Sequence, residues 1–143
     1  MKSEDVNWFL GMAQYVSTRS KDPSTKCGAV IVNKLSRAVV SVGYNGFPRN
    51  FLDTKERLEN REYKYKHTLH AEQNAMIFSN RTYLDDCCIF VTHPPCARCL
   101  VEMRQRNLTT VYCFDGDEEF KKRWAIPDVL EVANELGIEI IFV

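Results

Sequence analysis

The chain has 143 residues, with 19 lysines and arginines balanced by 19 aspartates and glutamates, so its formal net charge at pH 7 is zero. A chain of this length can bury a substantial core, and we expect residues 1–143 to form a single domain. The neutral balance lacks the basic excess typical of proteins that bind polymeric DNA or RNA. No apolar run approaches the roughly 20 residues that span a membrane, so we expect neither nucleic acid nor membrane as a partner.

Cysteine usage indicates the compartment in which the protein works. The chain carries six cysteines and no stretch that resembles a secretory signal. Cysteines in such a chain are typical of a reducing environment, where disulfides are rare. We therefore expect free thiols and a cytoplasmic protein.

The first part of the chain predicts a helix followed by a β-hairpin. Apolar residues recur at helical spacing between residues 4 and 20, and Ser3 precedes them as a candidate N-cap. Two apolar runs follow, at 27–33 and 38–44, separated by a short turn. Runs of this length joined by a turn are typical of two paired antiparallel strands.

Residues 45–69 form a long, charged segment that breaks this regular pattern. Loops of such length are uncommon inside a compact domain, and those that occur tend to be functional or mobile. We expect a functional loop here, with a possible short helix at 54–60. The alternative is a solvated excursion on the surface.

The rest of the chain alternates between helices and strands. Strand–helix–strand order favours a parallel sheet with helices on both faces, to which the antiparallel hairpin adds two strands. We therefore predict an α/β fold, a three-layer α-β-α sandwich with a mixed five-stranded sheet. The predicted helices are at 70–79, 96–106 and 127–136, the last closed by Gly137, and the strands are at 87–92, 109–114 and 138–143.

Four residues predict a catalytic metal site. His70 and Glu72, followed by Cys96 and Cys99, form the pattern H-x-E and P-C-x-x-C. Catalytic zinc sites keep three protein ligands and leave a fourth position for a water whose pKa falls to about 7. One histidine and two cysteines supply three ligands. Glu72 is then free to carry a proton, as in the zinc deaminases of nucleobases.

The C-x-x-C pair has two other interpretations. A structural zinc site would need a fourth ligand, and a lone C-x-x-C can also be a redox dithiol. No second C-x-x-C pair is present, and the upstream H-A-E segment favours the catalytic interpretation. The remaining cysteines that could act as ligands are Cys27, Cys87, Cys88 and Cys113, of which the last three lie in predicted strands and are expected to be core residues.

Taken together, four segments resemble the deoxycytidylate (dCMP) deaminases of the cytidine-deaminase-like superfamily. The likeness covers nearly the whole chain, and the zinc pattern alone would mark only the superfamily. The segments are S-K-D-P-S-T-K at 20–26, G-Y-N-G-F-P at 43–48, H-A-E-Q-N-A at 70–75 and T-H-P-P-C-A-R-C at 92–99.

The resemblance implies zinc-dependent hydrolysis of dCMP to dUMP and ammonia, which supplies thymidylate synthesis. It also implies that Asn45 lies near the sugar or phosphate of the nucleotide, although Asn45 could simply serve the turn. Lys26, with Ser24 and Thr25, offers a positive charge and two hydroxyl groups for the 5′-phosphate. The alternative for Lys26 is an ordinary surface lysine.

The resemblance further implies control by nucleotides. Members of the family are commonly homohexamers, activated by dCTP and inhibited by dTTP with Mg²⁺. We place this control in the 45–69 segment and its entry, where backbone amides and positive charges could hold a triphosphate. The segment contains His67 but no cysteine, so we expect one Zn²⁺ per chain. The candidate effector residues are Gly43, Tyr44, Gly46, Arg49, Arg61 and Lys64.

Three rival functions share parts of this pattern. A tRNA adenosine deaminase has the same zinc signature, but the neutral charge and the D-P-S-T-K segment count against it. A free-nucleoside cytidine deaminase would have less use for a phosphate contact. A silent nucleotide sensor would be marked by loss of the proton carrier, and Glu72 is present.

Overall fold

The computed structural model describes all 143 residues, which fold into seven helices and five strands. The helices are α1 Ser3–Ser17, α2 Lys55–Glu59, α3 Arg61–His67, α4 Ala71–Phe78, α5 Ala97–Gln105, α6 Glu118–Arg123 and α7 Ile126–Leu136. The strands are β1 Gly28–Asn33, β2 Val39–Tyr44, β3 Cys87–Val91, β4 Thr110–Cys113 and β5 Glu139–Phe142.

The five strands form one mixed sheet in the order β2-β1-β3-β4-β5. Strand β1 is antiparallel to both β2 and β3, whereas β3, β4 and β5 run parallel. Helix α5 connects β3 to β4, and α6 with α7 connects β4 to β5. The predicted mixed five-stranded sheet, with its antiparallel hairpin and parallel second half, is confirmed.

The two faces of the sheet are covered by different helices, which gives the predicted three layers. Strand side chains alternate between faces, so neighbouring residues of β1 enter two separate cores. Ala29 and Ile31 pack with helices α4, α5 and α7, while Val30 and Val32 pack with helix α1.

Helix α4 lies directly against strand β2, and this contact positions the start of α4. A Cβ atom added to Gly43 would lie 2.4 Å from the carbonyl oxygen of Ala71 and 2.4 Å from the amide nitrogen of Ala75. The Ser41 hydroxyl donates a hydrogen bond of 2.6 Å to the Ala75 carbonyl oxygen. Only glycine at residue 43 allows so close an approach of the two backbones.

The 45–69 segment contains two helices and is not an irregular loop. The helix predicted at 54–60 is confirmed as α2, and a second helix, α3, follows it. Both begin at a polar cap: the Thr54 hydroxyl accepts from the Arg57 amide, and the Asn60 side chain accepts from the Tyr63 amide. The rings of Phe47, Phe51, Tyr63 and His67 then pack together, with the Tyr63 and His67 centroids 4.2 Å apart.

Two sequence predictions about the helices were wrong or incomplete. Ser3 is the first residue of α1 and not its N-cap, a position taken by Lys2 without a side-chain hydrogen bond. Helix α6 was not predicted, because its charged residues lack an apolar face of their own. Gly137 does close α7, with φ of 69°.

None of the seven helices is long and apolar enough to cross a membrane. All six cysteines have free thiols, and the expected core positions of Cys87, Cys88 and Cys113 are confirmed by their burial. The cytoplasmic location stays a prediction.

Candidate active site

Three predicted ligand atoms converge at one point. The Nδ1 atom of His70 lies 3.4 Å from Sγ of Cys96 and 3.3 Å from Sγ of Cys99. The two sulfur atoms are 3.6 Å apart. No fourth histidine, cysteine or acidic residue belongs to this group of atoms.

These separations fit a single zinc ion. With Zn–S near 2.3 Å and Zn–N near 2.0 Å, tetrahedral angles place ligand sulfurs about 3.7 Å apart and a sulfur and a nitrogen about 3.5 Å apart. The three distances between the ligand atoms of His70, Cys96 and Cys99 agree with these values to within a few tenths of an ångström. A set of three ligands leaves the fourth position open, as catalytic zinc requires.

The ligands are held at the starts of two helices. His70 is the N-cap of α4, and its backbone amide donates to the Gln73 side chain at 2.8 Å. Cys96 is the N-cap of α5, which follows the carboxyl end of strand β3. The Asn74 side chain donates to the Tyr44 carbonyl oxygen at 2.8 Å and fastens α4 to the end of β2. Two separate helix starts therefore meet at one edge of the sheet.

Glu72 lies in the first turn of α4 and is almost fully buried, with 6% of its surface exposed. Burial raises the pKa of its carboxyl, and the nearby His70 opposes this shift. A carboxyl that holds its proton more tightly than usual suits a group that must both accept and return a proton near neutral pH. The position of Glu72 beside the ligands, but not among them, agrees with its predicted role as the proton carrier.

The two ligand thiols differ in acidity. Hydrogen bonding from Cys99 and His70 lowers the pKa of Cys96 to about 4, despite its burial. The pKa of Cys99 is raised, because Cys96 already holds the negative charge and because Cys99 is buried. The pair therefore offers one ready thiolate, and a bound metal ion would supply the charge that replaces the Cys99 proton.

Cys27 and His93 lie beside the metal group without belonging to it. The Cys27 sulfur is 3.4 Å from Nδ1 of His93, and Nδ1 is also 2.9 Å from the Thr92 hydroxyl. Burial raises the pKa of Cys27 to about 12 and lowers the pKa of His93. A neutral thiol and a neutral imidazole are thus favoured at this turn.

Asn45 organises the loop that precedes β1. Its side-chain oxygen accepts from the Cys27 amide at 2.8 Å, and its side-chain nitrogen donates to the Thr25 carbonyl oxygen at 2.9 Å. Asp22 adds a second set of contacts, since its carboxylate accepts from the Ser24 amide at 2.8 Å and from the Lys64 ammonium at 3.0 Å. Asn45 therefore holds the loop in shape from a buried position.

A cavity of about 190 Å³ adjoins the metal group, and we call it the His70 cavity. The predicted substrate residues Ser24, Thr25 and Asn45 line it, whereas Lys26 does not. Lys26 is exposed and its ammonium donates to the Ser20 carbonyl oxygen at 2.5 Å. The remaining lining residues are Asp22, Arg61, Lys64, Tyr65, Thr68, His70, Arg123 and Trp124.

The six candidate effector residues do not share one site. Gly43, Tyr44, Gly46 and Arg49 line an open groove of about 890 Å³ on the outer side of β2 and α4, the outer groove. Arg61 lines the His70 cavity and not the outer groove. Lys64 separates that cavity from a third one of about 260 Å³, which Tyr44 and Gly46 also line.

Five lining residues of the His70 cavity were not assigned to a site from the sequence: Asp22, Tyr65, Thr68, Arg123 and Trp124. Arg123 and Trp124 reach it from α6 and the residue that follows, far along the chain from the zinc pattern. The signal in the sequence was the run Lys121-Lys122-Arg123-Trp124, which places an aromatic residue directly after three positive charges.

Comparison with known proteins identifies relatives across the whole chain. The uncharacterized deaminase in the luxG 3′ region of Aliivibrio fischeri is 41% identical over 142 residues, covering 98% of this chain and 94% of that protein. A probable deoxycytidylate deaminase of Caenorhabditis elegans is 40% identical over 118 residues, covering 80% of this chain. That match spans 59% of the nematode protein, so the chain corresponds to about three fifths of its length.

A solved structure matches the fold over its full length. The crystal structure of dCMP deaminase from the cyanophage S-TIM5, in complex with dCMP and dUMP, superposes with a TM-score of 0.79 and 26% identity. It covers 100% of this chain and 99% of the phage chain. These likenesses confirm the fold predicted from the sequence and the expectation of a deaminase.

The model of one protein family, the cytidine and deoxycytidylate deaminase zinc-binding region, matches residues 3–115. This range contains both helix starts that carry the ligands, together with Glu72. The chain therefore belongs to the cytidine and deoxycytidylate deaminase zinc-binding family.

Proposed function

We propose that the protein hydrolyses dCMP to dUMP and ammonia and thereby supplies dUMP for thymidylate synthesis. The observation that carries this proposal is a group of three zinc-type ligands with a buried glutamate beside it, of which His70 also lines a cavity bordered by Ser24, Thr25 and Asn45. The full-length likeness to a phage enzyme crystallised with dCMP and dUMP supports the same substrate.

His70, Cys96 and Cys99 would hold the ion, whose chemistry is to lower the pKa of a water to about 7 at the open position. The carboxyl of Glu72 takes one proton from the attacking water and delivers it to the ring nitrogen. It then takes the second proton, from the hydroxyl formed on the ring carbon, and delivers it to the leaving amine. Burial of Glu72 supports this role, because it brings the proton affinity of the carboxyl closer to that of the groups it serves. The reaction consumes one water and releases one ammonia, so the proton carrier is restored.

The substrate contacts follow from the shape of the loop before β1. Asn45 holds this loop and borders the cavity, which makes it a candidate for contact with the sugar or phosphate. The hydroxyls of Ser24 and Thr25 are donors for sugar or phosphate oxygens. Lys26 remains a candidate for a longer-range contact with the phosphate, although its ammonium is engaged by the Ser20 carbonyl.

Substrate choice is tested by comparing dCMP, CMP and deoxycytidine in a deamination assay followed by ultraviolet absorbance. We expect kcat/KM for dCMP to exceed that for deoxycytidine by at least about a hundredfold, because a site built for a polar group rejects ligands that lack it. Addition of dCTP with Mg²⁺ is expected to raise the rate, and dTTP with Mg²⁺ to lower it. Zinc-loaded protein that leaves dCMP unchanged would contradict the proposal and direct attention to tRNA adenosine and free cytidine.

We propose the outer groove as the site of this nucleotide control. Its volume of about 890 Å³ exceeds that of the His70 cavity, and Arg49 supplies a positive charge beside the backbone of Gly43, Tyr44 and Gly46. The Arg49 guanidinium lies 5.3 Å from the centre of the Phe78 ring, which holds it at the groove. Lys64 borders both the His70 cavity and the neighbouring small cavity, and that small cavity shares Tyr44 and Gly46 with the outer groove.

We further propose that six chains assemble, as is common in the family. Helix α1 and the edge strand β2 expose large apolar side chains that a monomer would leave in water, among them Trp8 at 61% and Tyr15 at 79% exposure. Val39 and Val42 continue this surface. Exposed apolar patches of this kind mark contacts between proteins. Sedimentation equilibrium is expected to give the mass of six chains, and the mass of one chain at micromolar concentration would contradict assembly.

A further inference from the structure

Two arginines from distant segments meet in the His70 cavity. Arg61 is the first residue of α3 and Arg123 the last residue of α6, and both line the cavity beside His70. Neither forms an ion pair with an acidic side chain. The third cation of the cavity, Lys64, is already paired with Asp22 at 3.0 Å. The unbalanced positive charge of the cavity therefore comes from the two arginines.

Helix α6 is fastened to the turn that leads into the zinc ligand Cys96. The Phe120 ring lies 5.6 Å from the His93 ring, and it rests so closely on Gly116 that a Cβ atom there would be 2.3 Å from it. The Asp117 carboxylate caps α6 by accepting from the Phe120 amide at 2.8 Å. His93 is in turn held by Thr92, at 2.9 Å. These contacts fix the position of Arg123 relative to the metal group.

The cavity also places an aromatic surface beside this charge. The Arg123 guanidinium lies 5.7 Å from the centre of the Trp124 ring, and Trp124 is 43% exposed although it borders the cavity. Stacking on an aromatic ring limits the motion of a guanidinium without using its hydrogen-bond donors. Arg123 thus keeps its planar set of donors for a ligand.

We infer that Arg61 and Arg123 bind the 5′-phosphate of the substrate, and that Phe120 positions Arg123 for this contact. The inference rests on the proposed function, in which the substrate is a nucleoside monophosphate. Guanidinium groups match phosphate oxygens with two parallel hydrogen bonds. Two of them, approaching from α3 and α6, balance the dianionic phosphate, whereas Lys26 lies outside the cavity with its ammonium already engaged.

Lys122 provides a matched control for charge. It precedes Arg123 in the same helix and carries the same charge, but it lines a different cavity on the side of α7. Both residues are exposed, so neither substitution creates a hole in the core. Any general effect of losing one positive charge from α6 will appear in both variants.

The experiment compares zinc-loaded Arg123→Gln and Lys122→Gln with the unchanged protein, using dCMP and deoxycytidine as substrates. Arg123→Gln is expected to lower kcat/KM for dCMP about tenfold to a hundredfold, mainly through KM, and to leave deoxycytidine unaffected. Arg61→Gln is expected to act in the same direction, and Lys122→Gln to change neither substrate. Equal losses on both substrates, or no loss with Arg123→Gln, would overturn the inference.

Calorimetric binding of dUMP and deoxyuridine separates this inference from the proposed reaction, because it requires no turnover. We expect dUMP to bind more tightly than deoxyuridine, and Arg123→Gln to remove the difference. This result would support the phosphate site even in a protein that fails to deaminate dCMP. If dCMP is deaminated normally by the Arg123→Gln and Arg61→Gln variants, the reaction stands and the phosphate site is wrong.

Phe120 is tested as a positioning residue. Phe120→Ala is expected to raise KM for dCMP several-fold without changing kcat for deoxycytidine, because it frees α6 but leaves the metal group intact. Phe120→Tyr retains the ring that packs on His93 and should restore the original KM. Failure of the tyrosine variant to restore KM, with α6 intact by circular dichroism, would contradict the positioning role.

Discussion

Replacement of Glu72 by glutamine is expected to lower kcat for dCMP by about 10²- to 10⁴-fold, the range that a positioned general acid–base group contributes. Glutamine has nearly the same shape but cannot carry the proton. Since Glu72 is not one of the three ligands, the variant should keep one zinc per chain. The measurement is deamination of dCMP together with metal analysis of the same sample.

The same substitution is expected to leave the fold intact. Burial raises the pKa of Glu72, so the folded protein holds this proton more tightly than the unfolded chain does. Its contribution to stability is therefore present at pH values below the unfolded pKa and is lost as the pH rises through the folded pKa. Glutamine is neutral at every pH and so avoids the cost of burying an ionised carboxylate. The free energy of unfolding at neutral pH should therefore not fall.

Glu131→Gln is the control for this experiment, because it makes the same chemical change on the exposed face of α7. It should match the unchanged protein in both rate and zinc content. Deamination at the original rate by the Glu72 variant would show that another group carries the proton.

Replacement of Cys99 by alanine is expected to abolish stoichiometric zinc binding and, with it, deamination. The substitution removes one of three ligands, and it should weaken zinc binding by more than the 10- to 100-fold that loss of a supporting residue around a metal typically costs. The sulfur atoms of Cys96 and Cys99 are 3.6 Å apart, a separation at which both would bind one tetrahedral ion. Two remaining ligands cannot fix such an ion against dialysis.

Cys113→Ala is the matched control, since Cys113 is also fully buried in the same core but has no part in the ligand group. Both variants lose a buried sulfur and should be destabilised by about 1 kcal/mol through lost packing. Only the Cys99 variant should lose zinc, as measured by metal analysis after dialysis. Full zinc content in that variant would refute the ligand set.

The residues of the candidate site could be identified from the sequence because each half of the pattern is local. His70 and Glu72 are two residues apart, as H-x-E requires, and Cys96 and Cys99 occupy the first turn of one helix. The apolar runs likewise predicted all five strands, since side-chain alternation and chain order determine how strands enter a sheet. Each of these features depends on residues close together in the chain.

The surroundings of the site were decided by tertiary contacts. Lys64 was predicted to hold an effector, yet it is buried and pairs with Asp22, a residue far earlier in the sequence. Arg61 was assigned to the same effector site and instead borders the His70 cavity. Spacing in the sequence cannot reveal such pairs, because a long-range ion pair depends on how the 45–69 segment folds back over the loop before β1.

What the sequence by itself determined about this protein is therefore the residue pattern of its candidate metal group, with the glutamate beside it, and a mixed sheet of five strands. What only the tertiary structure decided is which cations line the His70 cavity. Arg123 reaches the His70 cavity through α6, whose position depends on Phe120 packing against His93 and Gly116. A short charged helix has no apolar face to predict its place, and contacts with the rest of the fold provide it.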